Sequence, residues 1–157
     1  NLVRGLAITF PDRKIIIQTK PQFKNSALFP RFISDCLEGL TNIAYSSDSP
    51  YDLFFRARYA VSDPSSIAVE AIQFGVVTFV LDLPRLLTSS VFREYPGLMI
   101  TNFDQVKDRI FEIEGGARKY PLEDLHEIVD MSGMIFFDRI RKDVGLPTKS
   151  KNIPLIA

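Results

Sequence analysis

The sequence is poor in the residues that build covalent and metal frameworks: it has one cysteine, Cys36, and one histidine, His126. A single cysteine excludes an intramolecular disulfide. That fits a reducing compartment, and a cytoplasmic setting is expected. Cys36 lies at helical spacing among Phe32, Ile33, Leu37 and Leu40. It reads as a buried core thiol, the common fate of a free cysteine, rather than as a nucleophile. His126 stands beside Glu123, Asp124 and Glu127 with no second histidine or cysteine near it, so neither a transition metal nor any other cofactor is expected. Net charge is also missing, because 19 Lys and Arg balance 19 Asp and Glu. This balance gives no electrostatic footprint for nucleic acid or an anionic membrane. No apolar run approaches the roughly 20 residues of a membrane helix. No secretory signal, internal repeat or low-complexity tract is visible.

What is present is the mixture of an ordinary globular chain: 157 residues, 46% hydrophobic and 24% charged. That length suits one domain with a sizeable core. The chain begins at Asn1 rather than Met and is expected to be a piece of a longer protein. Short apolar runs alternate with amphipathic segments, which predicts a three-layer, Rossmann-like α/β domain with a mostly parallel sheet. Strands are predicted at Lys14 to Gln18, Asn42 to Tyr45, Ala60 to Ser62, Val76 to Leu81 and Leu98 to Ile100. The first reads as buried, and Val76 to Leu81 as central and buried on both faces. Helices are predicted at Leu2 to Phe10, Ser26 to Leu40, Pro50 to about Tyr59, Ser66 to Phe74 and from Asn102 to Glu114. The last is expected from Pro121 to about Val144, interrupted near Gly133. Ser49 and Asn102 are in capping positions, and Gly75 and Gly115-Gly116 are helix stops. Residues 1–145 are expected to form the domain, and residues 146–157 a C-terminal tail.

The segment from Ala60 to Asp82 carries the chemistry. It reads as a strand, the turn Asp63-Pro64-Ser65-Ser66, a helix with Glu70, then Gly75 and a second strand. A strand-to-helix turn gathers free N–H groups and the positive helix end at one point. Ser65 and Ser66 add hydroxyl donors for phosphate oxygens. Glu70 follows Ser66 by four residues, one turn deeper on the same face, where a carboxylate can accept both hydroxyls of a ribose. The turn also ends a parallel strand, where open α/β sheets bind ligands. The plainer alternative is a helix cap at Asp63-Pro64-Ser65-Ser66 and a solvated surface residue at Glu70.

The stretch from Ser62 to Gly75 resembles Asp-x-Ser-Ser-x-x-x-Glu-Ala-x-x-x-Gly, the pattern of the C-terminal domain of GT-B-fold proteins. It is similar to the non-hydrolysing UDP-N-acetylglucosamine 2-epimerases and to capsule-polysaccharide and glycerol-phosphate polymer transferases. The resemblance covers about Lys14 to Glu114. It implies phosphate contacts by Ser65 and Ser66, with Asp63 in the same loop, and a ribose contact by Glu70. It also implies a nucleotide-diphosphate sugar or CDP-polyol as partner, and an N-terminal domain of the parent protein across the cleft.

Two departures stand out. Val77 replaces the proline usual after the glycine and valine, here Gly75-Val76. Lys20-Pro21-Gln22 stands where many of these transferases have Lys-Pro-His. Lys20 can pair with phosphate, although a solvated lysine at a strand end is an equally ordinary reading. Gln22 can hydrogen-bond a phosphate but cannot carry a proton as histidine does. Arg85, and Arg93 with Glu94, are weaker candidates for lining the cleft. The run Arg139, Arg141 and Lys142 reads as favourable helix-end charge. The expected function is donor binding in a GT-B-type glycosyltransferase of surface-polysaccharide synthesis, the isolated domain being inactive. The rivals are a UDP-sugar epimerase domain and a non-catalytic Rossmann-like module for assembly or regulation.

Overall fold

The order of apolar residues and turn formers produces alternating helices and strands. The computed structural model describes residues 2–82, 91–121 and 124–125. Helix α1 (Leu2–Thr9) buries Leu6 and Ala7 and ends ahead of Pro11, which cannot continue a helix. Strand β1 (Ile15–Ile17) leads into a four-residue helix, α2 (Pro21–Lys24), then α3 (Phe29–Leu37) and β2 (Ile43–Tyr45). A short α4 (Pro50–Phe54) precedes β3 (Tyr59–Ser62), α5 (Ser66–Gln73) and β4 (Val77–Leu81). A 3-10 turn (Val91–Glu94), β5 (Met99–Ile100) and α6 (Phe103–Glu114) follow.

Three of the helix ends follow from single residues. Ser49 accepts a hydrogen bond from Tyr51 N, so α4 starts with Pro50 at its first position. Asn102 accepts one from Gln105 N, while Gln105 returns its side-chain oxygen to Thr101 N, a reciprocal cap on α6. Gly75, at φ +78°, closes α5 in a left-handed conformation that a side chain would resist.

Every strand pairing among the described residues is parallel. Strands β3, β4 and β5 form one sheet in that order, with Val61 opposite Phe79 and Val80 opposite Met99. Strands β1 and β2 form a separate two-stranded sheet, with Ile16 opposite Ala44. Alternation along β4 divides the core. Phe79 faces Leu6, Phe10, Ile100, Val106 and Ile110, contributed largely by α1 and α6. Val80 faces the opposite way, against Ala68 and Ile72 of α5 with Phe92, Leu98 and Leu125. Helices therefore cover both faces of a parallel α/β sheet, and the expected central, doubly buried β4 is observed. Phe79 is 1% exposed and Val80 0%.

Other expectations need correction. The strand around Ile15 was expected to be buried, but only Ile17 is; Ile16 faces outward at 37% exposure. The helix expected over Ser26 to Leu40 is shorter. Pro30 belongs to the first turn, which sets its start, and Gly39 at φ +69° ends it. The helix expected to run to Tyr59 stops at Phe54, and the residues up to Arg58 form the approach to β3. Apart from Pro121, Asp124 and Leu125, the helix expected from Pro121 to Val144 lies outside the described residues, as do the Arg85 loop, His126, Arg139, Arg141, Lys142 and the C-terminal tail. No described helix is long and apolar enough to cross a membrane.

Candidate phosphate loop at the carboxyl end of the sheet

Parallel strands of one sheet direct their carboxyl ends to one edge, so the loops after β3 and β4 share that edge, and a contact from Lys20 brings the loop after β1 to it. Lys20 lies three residues beyond the end of β1 and holds the N-cap position of α2. Its Nζ donates to Asp63 Oδ2 at 2.6 Å, bridging 43 residues of sequence. The fold thus brings together two residues that the sequence singled out separately. Gln22 is on the same short helix, two residues on, and is exposed.

The turn after β3 is folded around Asp63. Ser65 Oγ donates toward Asp63 Oδ1 at 3.1 Å and its carbonyl at 3.2 Å. Ser62 Oγ donates to the Asp63 carbonyl at 2.8 Å and approaches Oδ1 at 3.4 Å. Partial burial pushes the Asp63 carboxyl up, but the Lys20 ammonium and the two hydroxyls outweigh it. The group is held below its ordinary range and stays ionised.

Ser65 has the extended backbone of an N-cap residue, yet its side chain caps nothing. An N-cap serine ordinarily accepts from an N–H of the first turn. Here its hydroxyl is turned back to Asp63, and among the described residues no side chain caps the amino end of α5. Ser66, the first residue of α5, is exposed.

Glu70 is half-buried one turn along α5. Tyr51 Oη donates to Glu70 Oε2 at 2.6 Å, and that bond, with some burial, raises the Tyr51 hydroxyl above its usual value. Tyr51 also belongs to a cluster of rings with Phe54, Phe55 and Phe74, whose centroids lie 5.1–6.1 Å apart. Sequence reasoning had no signal for Tyr51, because a contact between residues 19 positions apart on α4 and α5 leaves no periodic trace. Arg93 reaches Asp82 at 3.4 Å, just past the end of β4, so this weaker candidate lies at the same edge.

A shallow pocket of about 230 Å³ is found elsewhere, lined by Glu94, Tyr95, Pro96, Gly97, Pro121 and Asp124. It lies toward the amino end of β5 and contains none of the residues around Asp63. Comparison with protein families, curated proteins and solved structures found no match for the chain.

Proposed function

We propose that the chain is the donor-binding half of a GT-B-type glycosyltransferase, taking a nucleotide-diphosphate sugar or CDP-polyol at the carboxyl end of β3. One observation carries this reading. Lys20, delivered by β1, meets the Asp63 loop beside an α5 amino end that no side chain caps. Unpaired N–H groups and the positive helix end favour an anion. In this reading the diphosphate lies on the first turn of α5 with Ser65, Ser66 and Lys20, and Gln22 supplies a further amide donor. The ribose hydroxyls lie on Glu70, where Tyr51 occupies Oε2 and fixes the carboxylate. Leaving-group charge would be stabilised by the helix end and Lys20. Acceptor-side groups come from a second domain, so this chain alone turns over no donor.

The test is calorimetric titration with UDP, CDP, GDP and inorganic pyrophosphate. Glu70→Ala is expected to weaken the nucleoside diphosphates and spare pyrophosphate. Ser66→Ala is expected to weaken both about tenfold, the scale of one charge-assisted hydrogen bond. Unchanged UDP and CDP affinity in Glu70→Ala would remove the ribose assignment.

A second reading, a non-catalytic α/β module, is favoured by a different observation. The Lys20–Asp63 pair and the Tyr51–Glu70 bond already satisfy these polar groups within the chain. The same titrations separate the two readings, since the module binds none of the four ligands.

A further inference from the structure

We propose that the Asp63 carboxylate is a resident occupant of the phosphate loop, an autoinhibitory contact that an incoming phosphate must displace from Lys20. The inference rests on the reading of this loop as a phosphate site. The donors a phosphate would recruit here already converge on one residue. Lys20 Nζ is 2.6 Å from Oδ2, and Ser65 Oγ is 3.1 Å from Oδ1. Ser62 Oγ lies 3.4 Å from Oδ1 and 2.8 Å from the Asp63 carbonyl. A carboxylate offers the same acceptor chemistry to an ammonium and hydroxyls as two phosphate oxygens do.

The contact has two consequences. It neutralises the lysine, the one cation among the described residues that pairs with Asp63. It also turns the Ser65 hydroxyl away from α5, so the first-turn N–H groups keep no side-chain acceptor. An entering phosphate meets vacant backbone donors but also a negative charge beside them. Binding is complete only when Lys20 changes partner and Ser65 turns. Both ends of the ion pair reach solvent, with side-chain exposures of 64% for Lys20 and 41% for Asp63. Such a pair is weak and exchangeable, which suits a latch rather than a structural rivet.

The experiment is titration of wild type, Asp63→Asn, Asp63→Ser, Lys20→Gln and the Asp63→Asn/Lys20→Gln double variant with inorganic pyrophosphate and UDP. Thermal melts check that each variant is folded. Asp63→Asn is expected to bind pyrophosphate about tenfold tighter, because one repulsive charge is lost and one cation is released. Asp63→Ser should follow the same direction, and the gain of the double variant over Lys20→Gln should be smaller, since only the lost repulsion remains. In wild type, the ¹³C signal of the Asp63 carboxyl should move when pyrophosphate saturates the site. If wild type binds UDP while Asp63→Asn and Asp63→Ser bind equally or more weakly, or if the Asp63 signal stays still, the latch is wrong and the nucleotide reading stands. If no variant and no wild-type sample binds either ligand, the phosphate reading and the latch fall together.

Discussion

Glu114, the last residue of α6, gathers three side chains at the amino end of the sheet. Arg13 Nη2 lies 2.6 Å from Oε2, Tyr59 Oη donates to Oε1 at 3.1 Å, and Arg58 Nη1 stands 3.5 Å away. The Arg13 guanidinium also sits 4.4 Å from the centre of the Phe10 ring. The Arg13 bond lowers the Glu114 carboxyl most. Partial burial opposes it, and Tyr59 and the arginine charges add to the lowering. A carboxyl depressed on folding contributes stability that is present above its unfolded value, about 4.3, and is lost as pH falls through the lower folded value. Urea melts of wild type should therefore lose stability below about pH 4. Glu114→Gln should be less stable at pH 7 and show a flatter acid limb. An acid limb of equal slope in both proteins would remove this assignment. None of the cluster was legible in the sequence. Only the fold brings residues 13 and 114 together. Lys20 and Asp63 were each legible, from strand-end position and turn chemistry, but their pairing was not.

The short β5 leaves a problem along β4 that a tyrosine solves. Pairing between β4 and β5 covers only Val80 with Met99 and Leu81 with Ile100. Val80 N and Asp82 N bond to Leu98 O and Ile100 O, so alternate residues of β4 point toward β5. Thr78 points the same way but lies beyond the reach of β5. Tyr120 Oη takes the place of a strand, accepting from Thr78 N at 3.1 Å and donating to Thr78 O at 2.7 Å. Thr78 is fully buried, and burial pushes the Tyr120 hydroxyl far above its ordinary value. Tyr120→Phe keeps the ring packing but strands a buried N–H and a buried C=O, at a cost of about 1–3 kcal/mol. Amide exchange at Thr78 should accelerate in this variant, while exchange at Ala60 on β3, whose N–H faces β4 in the parallel ladder, stays slow. Uniform acceleration, or none, would show that the hydroxyl is not an edge clasp. Gly97→Ala should loosen the same region, because an added Cβ would lie 2.9 Å from Pro121 Cγ, the neighbour of Tyr120. At this scale the sequence was informative where patterns were long. The apolar run of β4, the α5 stop at Gly75 and the Asn102 cap all appear where expected. Helix α2 was not legible, since four residues starting at Pro21 are too short to show a helical period.

The molecule joins two sheets that share no strand hydrogen bonds, and its cohesion rests on what bridges them. Helix α1 is one bridge. Leu6 packs into the cluster around Phe79 of β4, while its neighbour Ala7 packs with Ile17, Cys36 and Ile43 of the smaller sheet. Asn42 ties that bridge to the smaller sheet. Its Nδ2 faces the carbonyls of Ala7 at 2.9 Å and of Phe10 and Arg13 at 3.2 Å, and its own carbonyl accepts from Ile15 N. The side-chain amide thereby ties the end of α1 and the turn after it to the residue ahead of β2, and the backbone carbonyl of the same residue holds the start of β1. Asn42→Ala removes every one of these side-chain bonds and leaves partly buried carbonyls without their donor. A loss of about 1–3 kcal/mol is expected from unmet hydrogen bonds of this kind. The location of the loss is the sharper expectation. If Asn42 couples the sheets, hydrogen exchange should speed up in Ile15–Ile17 and Ile43–Tyr45 well before the global unfolding limit, while Phe79 and Val80 keep theirs. Wild type should instead exchange both regions near that limit, as one cooperative unit. Should Asn42→Ala destabilise all strands equally, Asn42 supports the fold as a whole and is not its hinge. Should wild type already exchange the two sheets at separate limits, α1 and Asn42 do not bind them into one unit. The Lys20–Asp63 contact would then join two bodies that unfold independently.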